Sequence, residues 1–193
     1  MKKEKIKKLI RISVIFFSFS FIGWFWELLY EFLRKGTIAN HGVLLGPWLP
    51  IYGFGALLIY LCLSKYKYSP LLVFMGSFVL CTSVEYITAW YLETFVHRSY
   101  WNYSYMPFNI DGRICLLASL FFGFAGLISL YIVIPKLFKF LDKFEYKKIA
   151  IICLLLTSIF IIDKIHSYQH PNIIKRYKII DTNEIKEMKL FKK

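Results

Sequence analysis

Three observations predict an all-α fold, a polytopic transmembrane helix bundle of about five spans. The chain of 193 residues is 58% hydrophobic and 20% aromatic, whereas soluble domains are about 45–50% apolar. The apolar residues gather near 9–31, 47–64, 70–95, 114–138 and 146–166. Each run is near the ~20 residues that a helix needs to cross ~30 Å of hydrocarbon. Basic residues occupy the flanks of these runs, as positive-inside topology requires.

The first run follows Lys2, Lys3, Lys5, Lys7, Lys8 and Arg11, so the amino terminus is expected to be cytoplasmic. It does not read as a cleaved signal peptide: it is too long for an h-region, it carries Trp24, Trp26 and Glu27, and it lacks a small-x-small cleavage site. The second run is the shortest. Gly42, Gly46, Pro47, Pro50, Gly53 and Gly55 crowd its start. Irregular backbone survives at membrane depth only under a cover of protein or beside a water-filled cavity. This Gly/Pro-rich segment is therefore either a plain outer loop or a re-entrant stretch that lines a site. Lys65 and Lys67 follow the second run, and Lys136, Lys139, Lys143, Lys147 and Lys148 lie between the fourth and fifth. Alternation then puts 32–46 and 96–113 outside. The fifth run meets Asp163-Lys164 after a short uncharged stretch, so it reads as a full crossing or as a tilted or re-entrant segment. Residues 1–168 form a single transmembrane bundle in this reading. Residues 169–193 form a basic polar tail, placed outside by the alternation despite its lysines.

The net charge of +13 invites a nucleic-acid reading, but the basic residues are spent on span flanks, where they face anionic lipid heads. The partner they imply is the bilayer, not nucleic acid. Cys62, Cys81, Cys115 and Cys153 fall in separate runs without close pairing, which suits small apolar fillers rather than a disulfide framework or zinc site. No metal site and no cofactor is expected. His166 and His170 stand four apart, a spacing that needs further ligands to hold a metal.

The acids carry most information. Glu85 lies in the middle of the third run, Glu93 ends it, and Glu27 lies near the outer end of the first. An ionisable side chain at the bilayer centre costs about 2.5–3.5 kcal/mol on insertion scales, so it needs a partner, a cavity or a job. The rise per residue puts Glu85 ~15 Å below the outer end of its helix, close to the midplane. Asn40, His41, Asn109, Asp111 and Arg113 supply candidate partners from the outer loops. Thr82, Glu85, Tyr86 and Ala89 share a helix face that should point into the bundle. Together they predict an outward-opening polar pocket whose ligand-binding residues are Glu27, Asn40, Glu85, Tyr86, Glu93, Trp101, Asn109 and Arg113. No catalytic residue is assigned. The structural alternatives are a Glu–Arg or Glu–Tyr tie at Glu85 and an ordinary aromatic belt formed by the tryptophans.

A run of separate motifs occurs in order: Trp26-Glu27; Asn40-His41-Gly42-x-Leu44-x-Gly46-Pro47-x-x-Pro50-Ile51-Tyr52-Gly53-x-Gly55; Glu85-Tyr86; Glu93; Trp101-Asn102-Tyr103-Ser104; Pro107-x-Asn109; and Gly112-Arg113-Ile114-Cys115. Over residues of about 20 to 125 the chain resembles the "Putative ABC-transporter type IV" (CmpB-type) family of small bacterial integral membrane proteins. That family usually reads Asn-Arg-Gly at Asn40-His41-Gly42 and Trp-Asp-Tyr at Trp101-Asn102-Tyr103. The resemblance implies a permease-like component of the bacterial cytoplasmic membrane. The chain lacks G-x-x-x-x-G-K-[ST], so a partner ATPase subunit would supply any ATP chemistry.

Three functions compete. The first is a transport component with an outward pocket for a small solute or lipid-like ligand. The second is a membrane enzyme acting on a lipid or envelope intermediate, with carboxylates and an Arg as acid, base and phosphate anchor; no Ser-His-Asp order or Cys-His pair supports it. The third is a non-catalytic assembly or regulatory protein.

Overall fold

Inside hydrocarbon a chain can satisfy its backbone only within itself, so long apolar runs fold as helices. The computed structural model describes residues 2–39, 42–97, 99–170 and 176–178. Its elements, in chain order, are α1 (Lys2–Lys35), β1 (Thr37–Ala39), α2 (Pro50–Leu58), α3 (Pro70–Tyr91), β2 (Asn109–Ile110), β3 (Ile114–Cys115), α4 (Leu116–Ile128), α5 (Ile134–Leu141), α6 (Tyr146–Gln169) and β4 (Arg176–Lys178). Three π-helical turns extend the helices: Ile59–Leu63 after α2, Leu92–Val96 after α3, and Ser129–Val133 joining α4 to α5. Among the described residues, four helices are long and apolar enough to cross a membrane: Glu4–Arg34, Pro70–Val96, Leu116–Leu141 and Tyr146–Gln169. This is the all-α polytopic bundle that composition and run length predict.

The second run behaves differently. Its helix begins at Pro50, where a missing N–H costs nothing at the first turn. At that point Leu49 N–H donates to the Ser20 carbonyl at 3.0 Å. Ser20 lies ~22 Å below the carboxyl end of α1 by the helical rise. The Gly42–Leu49 stretch has therefore descended deep into the bundle before α2 starts. The stretch thus enters the bundle as irregular backbone, and α2 continues from there to the turns at 64–69. α2 then runs antiparallel to α1, and small residues allow the close approach. A Cβ on Gly53 would meet Ser20 Oγ and the Phe16 carbonyl, and one on Gly23 would meet the Tyr52 ring.

α3 and α4 form the largest helix pair, and the contact again rests on small residues. A Cβ on Gly126 would meet Ser77, and one on Gly123 the Phe74 ring. α6 packs along α1 through Phe160, whose ring lies 5.5 Å from Phe16 and 6.0 Å from Phe17. It is one continuous helix through Asp163-Lys164, because Asp163 turns inward and is buried while Lys164 stays exposed. The main core cluster, Ile15, Phe19, Ala56, Ile59, Leu63, Val73, Leu130 and Ile134, fills the half of the bundle nearest the basic flanks. β4 pairs antiparallel with β1, which places residues 176–178 at the same end as the loop after α1.

Candidate ligand-binding site

The polar residues assemble in layers at the opposite half of the bundle. The inner layer joins four segments. α1 supplies Glu27, α2 supplies Tyr52, α3 supplies Glu85, and the loop before β2 supplies Tyr103. The Tyr52 hydroxyl donates to Glu27 Oε1 at 2.5 Å, and the Tyr103 hydroxyl donates to Glu85 Oε1 at 3.1 Å. Glu85 is 8% exposed. Its second oxygen, Oε2, is closed off from solvent and has no hydrogen-bond partner among the described residues; the same holds for Thr82 Oγ1, one turn away. Burial first, and the Glu85 carboxyl second, push the Tyr103 phenol far above its ordinary range, so it stays a proton donor.

α1 extends four residues past the span end expected from its apolar run, to Lys35. Glu27 is thereby ~12 Å below that end, deep enough to share a layer with Glu85. Along α3 the buried face carries Val73, Ser77, Glu85 and Ala89, with half-buried Cys81 on the same line. Tyr86, expected on this face, instead turns to the outer layer.

That outer layer is centred on Arg113. Its Nε donates to Glu93 Oε2 at 2.7 Å, and its Nη1 donates to Asp111 Oδ2 and to the Tyr86 hydroxyl, both at 3.0 Å. The guanidinium also lies 5.2 Å from the Tyr86 ring centroid. Chiefly through the Glu93 hydrogen bond, its pKa is held above even the usual guanidinium range. Trp101 fixes the backbone here by donating Nε1–H to the Arg113 carbonyl at 2.9 Å. Asn109 faces its own loop: its amide donates to the Met106 carbonyl and its Oδ1 accepts from Gly112 N–H. Asn102 Oδ1 accepts from Ser104 N–H and Oγ–H. The hairpin turns through Asp111 (φ 53) and Gly112 (φ 67), both left-handed.

Of the predicted site residues, Glu27 and Glu85 each accept from a tyrosine of the inner layer, and Tyr86, Glu93 and Arg113 meet in the outer one. Trp101 and Asn109 brace the loop that carries Arg113. Asn40 and His41 lie outside the described residues. Tyr52 and Tyr103, which bridge to the acids, were legible only as members of ordered motifs. An apolar concavity lined by Pro70, Leu127, Ile128, Tyr131 and Ile132 sits at the far end of α3, and a crevice too narrow for water lies between Ala89 and Leu92 of the α3 end and Trp101. No carboxylate of the inner layer lines either of them.

A third polar feature was missed as a site. Asp163 on α6 accepts from Leu45 N–H at 2.9 Å, Gly46 N–H at 2.8 Å, Trp48 Nε1–H at 2.8 Å and the Ser167 hydroxyl at 3.0 Å. The Leu45 and Gly46 amides are backbone donors of the irregular segment before α2, which no helix satisfies. Half-buried Trp48 thus ties this segment to α6. Its signal was an acid four residues before a serine in an apolar helix, which reads in the sequence as the end of a span.

A family model described as "Putative ABC-transporter type IV" matches residues 14–168. The match reaches well past the ordered motifs and takes in Asp163. No curated protein and no solved structure matches the chain.

Proposed function

The chain belongs to the "Putative ABC-transporter type IV" family, and from that premise we propose that it is the membrane component of a bacterial cytoplasmic-membrane transporter, with Glu85 at the centre of its solute site. The observation that carries this is the unpartnered Oε2 of Glu85 within an apolar span. An unpaired polar group in hydrocarbon is costly, and an acid at that depth marks a functional site by default, which supports this reading. The layering supports an approach from outside. Arg113 with Glu93 and Asp111 stands at the outer rim, Glu85 and Glu27 lie beneath it, and the apolar cluster of Ile59, Leu63, Val73, Leu130 and Ile134 seals the inner half. Such an arrangement is a solute site closed towards the cytoplasm. Transport then requires the inner seal to part, and a separate ATPase docked at the inner turns, 64–69 and 142–145, would supply that work.

The test is a comparison of cells lacking the protein, cells with the natural chain and cells with Glu85→Gln. Depletion of small solutes from the medium is followed by mass spectrometry, and the purified protein is probed for a co-purifying ATPase. The reading expects one solute class to be depleted only by the natural chain while the variant accumulates normally. Unchanged depletion by a well-folded Glu85→Gln would refute it.

A further inference from the structure

We infer that residues 99–113 form a strap that closes Glu85 off from the outer side and lifts as a unit to uncover it. The inference stands on what covers Glu85 and does not need the transport reading. The Tyr103 hydroxyl reaches down from the strap to Glu85 Oε1 at 3.1 Å. Beneath it, Glu85 Oε2 is closed off from solvent. Cys115, beside the Tyr103 phenol, is 2% exposed. The crevice that Ser99, Tyr100 and Trp101 form with Ala89 and Leu92 is too narrow for water. While Tyr103 is seated, the outer side offers no open path to the carboxyl group along this crevice.

The strap is bonded mainly within itself. Tyr103 N–H donates to the Gly112 carbonyl at 2.7 Å, Met106 N–H to the Tyr103 carbonyl at 2.8 Å, and Arg113 N–H to the Ile110 carbonyl at 3.0 Å. The Asn102 and Asn109 side chains also bond inside it. Its side-chain ties to the helices are polar: Tyr103 to Glu85, Arg113 to Tyr86 on α3 and to Glu93 on the turn after it, and Tyr105 to Arg34 on α1. Tyr105, Phe108 and Ile110 are exposed rather than packed on the bundle. A segment held firmly within itself and lightly to its surroundings opens as one unit. The backbone agrees. Among the described residues, the non-glycine residues with left-handed φ are His97, Phe108 and Asp111, all in this stretch or at its entry. His97 directly follows the π-helical turn Leu92–Val96, which places a hinge there. Strain of this kind collects in switch segments, where surrounding contacts must hold it.

The experiment treats the full chain in lipid nanodiscs with iodoacetamide at fixed pH and reads each cysteine separately by peptide mass spectrometry. Cys115 reports the strap. Cys153, buried where α6 packs on α1, reports loosening of the whole bundle. When reclosing outruns modification, the rate follows the open fraction. In the natural chain Cys115 should react faster than Cys153. Tyr103→Phe removes the bond to Glu85 and keeps the ring. It should speed Cys115 modification about tenfold, the worth of one hydrogen bond to a charged group. Glu93→Gln weakens the outer tie and should speed it about two- to fivefold, as for ion pairs near a surface. Cys153 should keep the natural chain's rate in both variants. Unchanged Cys115 rates in both variants, Cys153 rates that rise in step with Cys115, or a natural chain whose Cys115 reacts no faster than Cys153 would each overturn the strap. No solute enters this measurement, so its failure leaves the depletion test standing, and a failed depletion test leaves the strap standing.

Discussion

Removing the Asp163 carboxylate tests whether one side chain holds the irregular segment before α2 at depth. Asp163→Ala leaves Leu45 N–H, Gly46 N–H and Trp48 Nε1–H without their acceptor. Hydrogen bonds to a charged group contribute about 1.5–3 kcal/mol each, and the three share one partner, so their losses do not simply add. Relief of the buried charge offsets part of the loss. A net cost of about 3–6 kcal/mol is reasonable on these figures. Side-chain hydrogen bonds between membrane helices average only about 0.6 kcal/mol, because the separated helices find other partners. The Leu45 and Gly46 amides differ from such pairs in being backbone donors outside any helix. Against a total stability of about 5–15 kcal/mol the loss is severe. It corresponds to a fall in unfolding temperature of about 6 °C or more for a chain of this size. The assay is thermal unfolding of the purified protein followed by tryptophan fluorescence. Thr157→Val is the control, since it deletes one local bond, from Thr157 Oγ1 to the Cys153 carbonyl. Asp163→Asn should fall between, because its amide keeps one acceptor but turns a donor towards another donor. If Asp163→Ala melts no earlier than Thr157→Val, the carboxylate does not hold the segment.

Three further perturbations separate packing from site. Gly126→Ala drives a methyl into Ser77 and should cost about 1–3 kcal/mol by overpacking, visible as early melting with ligand selectivity retained. Gly112→Ala pairs a left-handed backbone with a Cβ aimed at Ser104 Oγ and, at 3.0 Å, Asn102 Oδ1. It should loosen the hairpin and raise the solvent exposure of Trp101, read as a red shift in its emission when the other tryptophans are replaced. Arg113→Lys keeps the charge but not the planar fork that reaches Glu93, Asp111 and Tyr86 together. It should slow solute depletion several-fold without lowering the amount of protein in the membrane; full activity would exclude a positional role for the guanidinium.

The membrane class, the helical fold and the unusual position of Glu85 were legible because they depend on local composition. An apolar run of membrane length has one way to satisfy its backbone, and an acid within it stands out against that background. The partners of the acids were not legible in the same way. The sequence offers Asn109, Asp111 and Arg113 as polar neighbours for Glu85, whereas the fold gives it Tyr103 and assigns Asp111 and Arg113 to each other and to Glu93. Tyrosine is unremarkable in so aromatic a chain, so only position in space distinguishes Tyr52 and Tyr103 from the rest.

By itself, then, the sequence determined what the solvent determines: which stretches enter hydrocarbon, which ends carry the lysines, and which acids are out of place there. The tertiary structure decided what depends on convergence of distant segments. Glu27 finds Tyr52 and Glu85 finds Tyr103 because α2 and the loop before β2 fold back onto α1 and α3. The Gly42–Leu49 stretch is held against α6 because Asp163, 118 residues from Leu45, accepts its amide protons. Hydrophobic partition is a sum over neighbours in the chain and can be read along it. A hydrogen bond between residues so far apart has no trace in local periodicity, since its geometry exists only once the helices have packed.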